Sequence, residues 1–208
     1  MTVGVWVAAA VIYAVFLGWY VNWRGALTPA EIEKRMAEFK ARVGDADINT
    51  EDFRAFLEAD DGNQFIMLNQ IKLHKGKIAH PDTGELMAPS KLLEGYTGYF
   101  MKALFRRGGH PVFVAPKVGG IIDSWNAGGD PEWGAVAMMR YRSRRDLMIL
   151  ATDARFDFAH SFKLAAMEKT TSFPTQMRFS TFLSPKWWVP MALLGLASFA
   201  QNLIWIFY

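Results

Sequence analysis

The sequence contains no cysteine, which excludes disulfide bonds, thiolate metal ligands and a cysteine nucleophile. Its four histidines occur in none of the spacings typical of zinc enzymes, such as HxxxH or HExxH; they are His74, His80, His110 and His160. Walker, dinucleotide-binding and G-x-S-x-G patterns are also absent. We therefore expect no catalytic residues of these classes, no metal and no cofactor.

The chain has little excess of either charge. The formal net charge is +3, which is small for a nucleic-acid-binding protein and compatible with contact to anionic lipid. Charge is missing altogether from two apolar runs, residues 3–21 and 187–208. About 20 helical residues, at about 1.5 Å each, match a bilayer core of about 30 Å. We predict transmembrane helices within residues 1–23 and 185–208.

A signal peptide is the alternative for the first run. Such a peptide needs a basic segment before the apolar stretch and a cleavage site of small residues after it. No basic residue precedes this run, and Trp19, Tyr20 and Trp23 occupy the place of a cleavage site. Aromatic residues at that position are typical of a membrane interface, so the sequence favours an anchor.

Small and polar residues mark possible helix contacts within the two runs. Ala10, Ala14 and Gly18 form a small-residue stripe at a spacing of four, which permits close packing of another helix. Gln201 and Asn202 are costly in lipid unless they find partners. Either local hydrogen bonds near the interface or a helix–helix contact explains the two amides.

Basic residues adjoin the middle segment only. They follow the first run and precede the second, at Arg24, Lys34, Arg35, Lys40, Arg178 and Lys186. Because positive charge is retained on the cytoplasmic side, we expect a two-pass protein of a bacterial inner membrane. Its middle domain would face the cytoplasm, and both termini would lie outside.

The middle segment starts with two predicted short helices, which we interpret as a juxtamembrane neck over residues 24–63. Thr28-Pro29-Ala30-Glu31 is a capping box with proline at the first helical position. A second helix is predicted to start at Asn49 or Thr50. Residues 64–184 then alternate strands with helices in the order β-α-β-β-α-β. This order predicts an α+β, ferredoxin-like domain, with strands at residues 65–73, 112–115 continuing at 120–124, 135–141 and 178–183. Its helices are predicted from Ser90 to Gly108-Gly109, after Ser143, and over residues 156–169.

Several short motifs recur in an order that resembles a known family. They are Met67-Leu68-Asn69-Gln70-Ile71-Lys72, Tyr96-Thr97-Gly98-Tyr99, Gly108-Gly109, Glu132-Trp133, Arg140-Tyr141-Arg142-Ser143-Arg144 and Phe162-Lys163-Leu164-Ala165-Ala166-Met167. The stretch from residue 64 to 173 is similar to the small dimeric α/β-barrel proteins of "domain of unknown function 1330", within the EthD-like superfamily. The resemblance implies a ferredoxin-like fold whose sheets pair face to face across a homodimer.

A pocket inside such a barrel has five candidate lining residues: Asn69, Tyr99, Trp125, Arg140 and His160. Asn69 lies among apolar residues in a predicted strand, where a buried amide must be hydrogen-bonded. It either orients a ligand or supports the strand. Haem-degrading relatives in the wider superfamily use an Asn, Trp and His set, but Trp125 and His160 do not share its spacing.

Arginines cluster where the third predicted strand leads into a helix. With Arg140, the residues Arg142, Arg144 and Arg145 are candidates to hold a phosphate or a lipid headgroup at the helix N-terminus. Their alternation is also typical of a solvent-facing edge, which is the interpretation that we favour.

These features predict two functions from different classes. The first is a non-catalytic accessory or scaffold subunit, anchored beside an integral-membrane partner or complex, in contact with membrane lipid and self-associating. The second is a membrane-tethered enzyme or binding protein for a hydrophobic small molecule. A roomy pocket in which the five candidates converge would favour the second.

Overall fold

The computed structural model describes residues 2–43, 49–126 and 128–207. Parts of the predicted neck, residues 44–48, and of the two predicted membrane segments, Met1 and Tyr208, lie outside these described residues. The chain forms two compact units. One comprises Gly25–Gln176, and the other comprises Met1–Arg24 together with Met177–Tyr208.

The described residues form seven α-helices and six strands. In chain order they are α1 (Thr2–Tyr20), α2 (Pro29–Val43), α3 (Thr50–Glu58), β1 (Phe65–Leu73), β2 (Ile78–Ala79), β3 (Leu86–Met87), α4 (Pro89–Arg106), β4 (His110–Pro116), β5 (Ala135–Tyr141), α5 (Arg144–Ala151), α6 (Asp157–Ala166), β6 (Met167–Thr175) and α7 (Pro185–Phe207). A 3-10 turn, Ala154–Phe156, precedes α6.

The unit of terminal helices consists mainly of α1 and α7, which pack against each other. Both helices are long and apolar enough to span a membrane. Only 6% of the apolar window in each helix is buried, so neither is the core helix of a soluble domain, which would be covered on most sides.

The second unit is built on a four-stranded antiparallel sheet. The strand order is β4-β5-β1-β6, and β2 and β3 form a separate two-stranded hairpin. Tyr141 of β5 faces Phe65 of β1, and Ile66 faces Thr175 of β6. The prediction of a mixed α+β chain is therefore confirmed.

Half of one predicted strand and all of another are wrong. Residues 120–124 form no strand, and the last strand is Met167–Thr175 rather than residues 178–183. The predicted helix over residues 156–169 also ends at Ala166, because Met167 is already extended. Thr170 and Thr175 stabilise the new strand by donating side-chain hydrogen bonds to β1 carbonyls, at 3.0 and 2.9 Å. The hairpin of β2 and β3 lies between the first predicted strand and the helix predicted from Ser90, where no element was predicted.

The predicted neck packs into the α+β unit. The side chains of α2 and α3 form a core cluster with Met148 of α5, which is fully buried. Phe56 contacts this cluster and also the core under the sheet. The structure thus divides the chain differently from the predicted boundary at residue 64, because the neck helices share a hydrophobic core with the sheet domain.

Candidate functional site

The arginine cluster leads from β5 into α5, and one of its headgroup candidates, Arg142, is bound by a residue of α5. Ser143 caps α5 by accepting a 3.1 Å hydrogen bond from the Asp146 backbone amide, and its hydroxyl donates to the Asp146 carboxylate at 2.6 Å. Arg142 donates two further hydrogen bonds of 2.8 Å to the same carboxylate. The headgroup candidate Arg142 is therefore occupied by an internal carboxylate.

Arg144 and Arg145 turn toward the neck instead of toward solvent. The Arg144 guanidinium lies 4.4 Å from the centre of the Phe56 ring and donates to the Phe56 carbonyl. Its Nε lies 3.4 Å from the Asp60 carboxylate. Only 7% of Arg144 and 5% of Arg145 are exposed. Both predictions for this cluster, an open anion site and a solvent-facing edge, are therefore wrong for these two residues.

Arg145 makes the most extensive of these contacts. It donates two hydrogen bonds of 3.0 Å to the Glu31 carboxylate, and others to the carbonyls of Gly25 at 3.2 Å and Ala26 at 3.0 Å. Hydrogen bonds from Arg145, and then from Thr28, lower the pKa of Glu31 from 4.5 to about 2. The Thr28–Glu31 capping box is thereby joined to a residue more than 100 positions away.

Asn69 and Arg140, two of the five pocket candidates, are used by the fold itself. Asn69 donates to the carbonyls of Met67 and Ala137, both at 3.1 Å, and accepts from Ser172 at 2.7 Å. Arg140 is 4% exposed; it donates to Gln64 at 2.7 Å and to the Gly108 carbonyl. The contacts of Asn69 therefore favour a role in supporting the strand over a role in orienting a ligand.

The other three pocket candidates lie on separate elements. Trp125 is 84% exposed in the segment between β4 and β5. His160 lies on α6, with its ring 6.4 Å from that of Tyr96. Burial, and then the nearby charge of Lys163, lower the pKa of His160. Tyr99, on α4, is 51% exposed and is the only member of the predicted set that lines the cleft described next.

A cleft of about 430 Å³ lies beside the C-terminal half of α4, and we call it the basic cleft. It is lined by Tyr99, Lys102, Ala103, Arg106, Arg107, Asp153, Arg155 and Phe156. None of the basic residues of this cleft is among the predicted site residues, although Lys102 and Arg106 lie four residues apart and therefore share one helix face. Arg155 comes from a different segment, which only the tertiary structure brings to α4.

The electrostatics of the basic cleft are dominated by positive charge. Among the described lining residues Asp153 is the only acidic one, and it accepts hydrogen bonds from Arg155 at 2.9 and 2.6 Å. These bonds lower the pKa of Asp153. Burial lowers the pKa of Arg107, whose nearest paired carboxylate, Asp146, lies 4.0 Å away. No cluster of three or more metal-ligating side chains occurs in the part of the chain that the structure describes.

The small-residue stripe and the polar pair of the terminal helices have different surroundings. Ala10, Ala14 and Gly18 are exposed, and a Cβ atom added to Gly18 would meet nothing within 4 Å. The stripe therefore lies away from the contact between α1 and α7. Gln201 accepts a 2.5 Å hydrogen bond from the Trp6 indole, whereas Asn202 is exposed.

No protein-family model matches the chain, and no curated protein matches it. Among solved structures, a structural genomics target of unknown function from Rhodopseudomonas palustris is similar, with 21% sequence identity and a TM-score of 0.51. The match covers 64% of this chain and 97% of that one. A structure of the methylated protein gives 20% identity and a TM-score of 0.52, over 67% and 99% of the two chains. At such identities the similarity concerns the fold alone.

Proposed function

We propose that this protein is a membrane-anchored accessory or scaffold subunit that holds a self-associating α+β domain beside an integral-membrane partner. The observation that carries the proposal is the pair of long, apolar and exposed helices that form a unit of their own. An exposed apolar surface of this length is costly in water and is satisfied by lipid or by other helices.

We further infer that residues 64–176 have the ferredoxin-like topology. The large sheet is antiparallel with the order β4-β5-β1-β6. If its four strands are numbered by their occurrence in the chain, this order reads 2-3-1-4, which is the arrangement expected when two β-α-β units interleave. The motif order that resembles the "domain of unknown function 1330" family supports the same inference.

The sheet offers a surface for self-association. The strand register places four large apolar side chains in one row across the sheet, Phe113, Met138, Leu68 and Phe173. All four lie outside the two core clusters, and Phe113 and Phe173 are 36% and 44% exposed. A second copy is the occupant that we propose for this apolar row, because flat apolar sheet faces pack well against one another.

Under this proposal the α+β unit faces the cytoplasm. The motivation is the position of the basic residues, which adjoin the inner ends of both apolar helices. Topology reporters fused at Met1 and at Tyr208 should therefore both signal the outer side of the membrane. A cytoplasmic signal at either end, with both apolar helices intact, would contradict the two-pass arrangement.

The scaffold role is tested by adding bulk to the small-residue stripe. Leucine at Ala10, Ala14 and Gly18 should reduce by at least about tenfold the amount of membrane partner that co-purifies in mild detergent, because large side chains keep helix backbones apart. Ala8→Leu is the control, since Ala8 is exposed and lies off the stripe, about 120° around α1 from Ala14. Partner retention is measured by quantitative mass spectrometry.

A second variant distinguishes the scaffold from the enzyme or ligand-binding alternative. His160→Gln keeps a polar side chain and removes only the titratable ring, so it should leave folding and partner retention unchanged. If it abolishes a cellular phenotype while abundance and partner association remain normal, the scaffold proposal fails. The small-molecule alternative would then explain the protein better.

A further inference from the structure

We propose that the basic cleft binds the phosphate group of an amphiphilic phosphate ester. The cleft lies within the Gly25–Gln176 unit, so this inference depends neither on the membrane helices nor on the scaffold proposal. Its position also differs from that of the arginine cluster at the start of α5, whose members are occupied by internal partners.

The charge balance of the cleft is the first argument. The described lining contains four cations, Lys102, Arg106, Arg107 and Arg155, and one carboxylate, that of Asp153. That carboxylate is already bound by Arg155. Within the described part of the chain, no carboxylate pairs with Lys102 or Arg106. An anion that enters the cleft therefore meets Lys102 and Arg106, which no described carboxylate neutralises.

The arrangement of the cations is the second argument. Lys102 and Arg106 lie one turn apart on α4, and Arg155 lies on the 3-10 turn, a second element that lines the cleft. A phosphate has oxygens on several sides, so it accepts hydrogen bonds from cations that approach from two walls, and guanidinium groups bind it bidentately. Arg107 is half-buried, and this burial lowers its pKa. Its paired carboxylate, Asp146, lies 4.0 Å away. A bound anion nearby would offset the free-energy cost of burying the Arg107 charge.

The remaining lining selects for an apolar group beside the phosphate. Tyr99, Ala103 and Phe156 provide this part of the surface. The Tyr99 ring is held edge-on against Phe158 with 4.8 Å between ring centres, yet about half of Tyr99 remains exposed. A volume of about 430 Å³ lies within the range of small-molecule sites, about 300–1,000 Å³. A phosphate that carries a ring or a short acyl chain fits this surface.

Such a ligand has two possible sources, a membrane phospholipid or a soluble phosphorylated metabolite. Both present a phosphate ester joined to an apolar group, and two probes separate them. Phenyl phosphate represents the soluble ester, and dihexanoyl phosphatidic acid, kept below its micelle concentration, represents the lipid. Each is titrated calorimetrically into the full-length protein in nanodiscs of phosphatidylcholine, whose headgroups carry no net charge.

We expect saturable binding of at least one probe, weakened by added salt because the contacts are ionic. The double variant Lys102→Gln/Arg106→Gln should weaken that binding by about tenfold or more. Both side chains are exposed and unpaired in the described structure, so the variant should fold normally, as checked by circular dichroism. The matched control, Lys77→Gln/Lys91→Gln, removes the same charge from exposed positions outside the cleft and should change affinity by less than about twofold.

The outcomes are decisive in both directions. Tighter binding of phosphatidic acid, lost in the cleft variant, identifies a lipid headgroup site, and tighter binding of phenyl phosphate identifies a site for a soluble ester. If neither probe binds saturably, or if the cleft and control variants bind equally well, the proposal is overturned. Neither of those failures would affect the scaffold proposal, whose tests concern α1 and His160.

Discussion

Replacing Arg145 with methionine is expected to lower the free energy of unfolding of the α+β unit by about 2 kcal/mol, since hydrogen bonds from a charged donor are lost while Glu31, whose side chain is 30% exposed, is partly rehydrated. Methionine keeps much of the side-chain volume but donates no hydrogen bond. The Glu31 carboxylate and the carbonyls of Gly25 and Ala26 would all lose a donor. The first turn of α2 would thereby lose its connection to α5.

The same variant should change the acid dependence of stability. Binding to Arg145 lowers the pKa of Glu31 from 4.5 to about 2 in the folded state. Because the unfolded carboxyl binds its proton more tightly, the stabilisation is present above about pH 4.5 and is lost as the pH falls toward 2. As the pH falls from about 4.5 toward 2, the free energy of unfolding of Arg145→Met should therefore decrease less than that of the wild type.

Urea unfolding followed by circular dichroism, at pH 7 and at pH 3, measures both effects. Arg106→Met is the matched control, because Arg106 is exposed and makes no ion pair in the described structure. It should change the free energy of unfolding by less than about 0.5 kcal/mol. A loss of under about 1 kcal/mol for Arg145→Met would show that the contacts of Arg145 contribute little to stability.

If the α+β units pair through the sheet as we propose, Val136→Lys is expected to leave the protein monomeric. Val136 lies on β5, two residues from Met138, so both side chains project from the same face of the sheet. In a dimer, the second copy would bury this lysine without a partner for its charge. The free-energy cost of about 3 kcal/mol would raise the dissociation constant about 100-fold. The apolar row of Phe113, Met138, Leu68 and Phe173 would then remain uncovered.

Sedimentation of residues 25–176, a compact unit with its own core, measures self-association without the apolar helices. Val118→Lys provides the same substitution at a position that is 99% exposed between β4 and β5, and it should leave association unchanged. A wild-type protein that stays monomeric at about tens of micromolar would contradict face-to-face pairing. Equal weakening by both substitutions would indicate a general effect of charge.

The strongest local patterns in the sequence predicted elements accurately. Residues 65–73 and 135–141 are strands with the predicted bounds, because each is a short apolar run between turn residues. The helix predicted to start at Asn49 or Thr50 begins at Thr50 with Asn49 as its cap, and the helix predicted after Ser143 begins at Arg144 with Ser143 as its cap. A cap needs only a side-chain oxygen and an amide three residues later. The last strand was misplaced because Phe179, Phe182 and Leu183 are apolar, whereas the true strand contains mainly polar residues and is stabilised by its pairing with β1.

The candidate sites were harder to predict, because their character depends on distant partners. Arg142, Arg144 and Arg145 form one basic run in the sequence, but Glu31, Asp60 and Phe56 reach Arg144 and Arg145 from more than 80 residues away. The basic cleft combines α4 with a turn about 50 residues later. Such pairings leave no periodic signal in either segment.

The sequence by itself determined the apolar lengths of the two terminal helices, the mixed α+β class and the helix caps, because each depends on the chemistry of adjacent residues. Only the tertiary structure decided that Asn69 and Arg140 serve the fold, that the neck shares the domain core and that Lys102, Arg106 and Arg155 line one cleft. Those outcomes depend on which distant surfaces the chain brings together, and burial and charge pairing are properties of that arrangement.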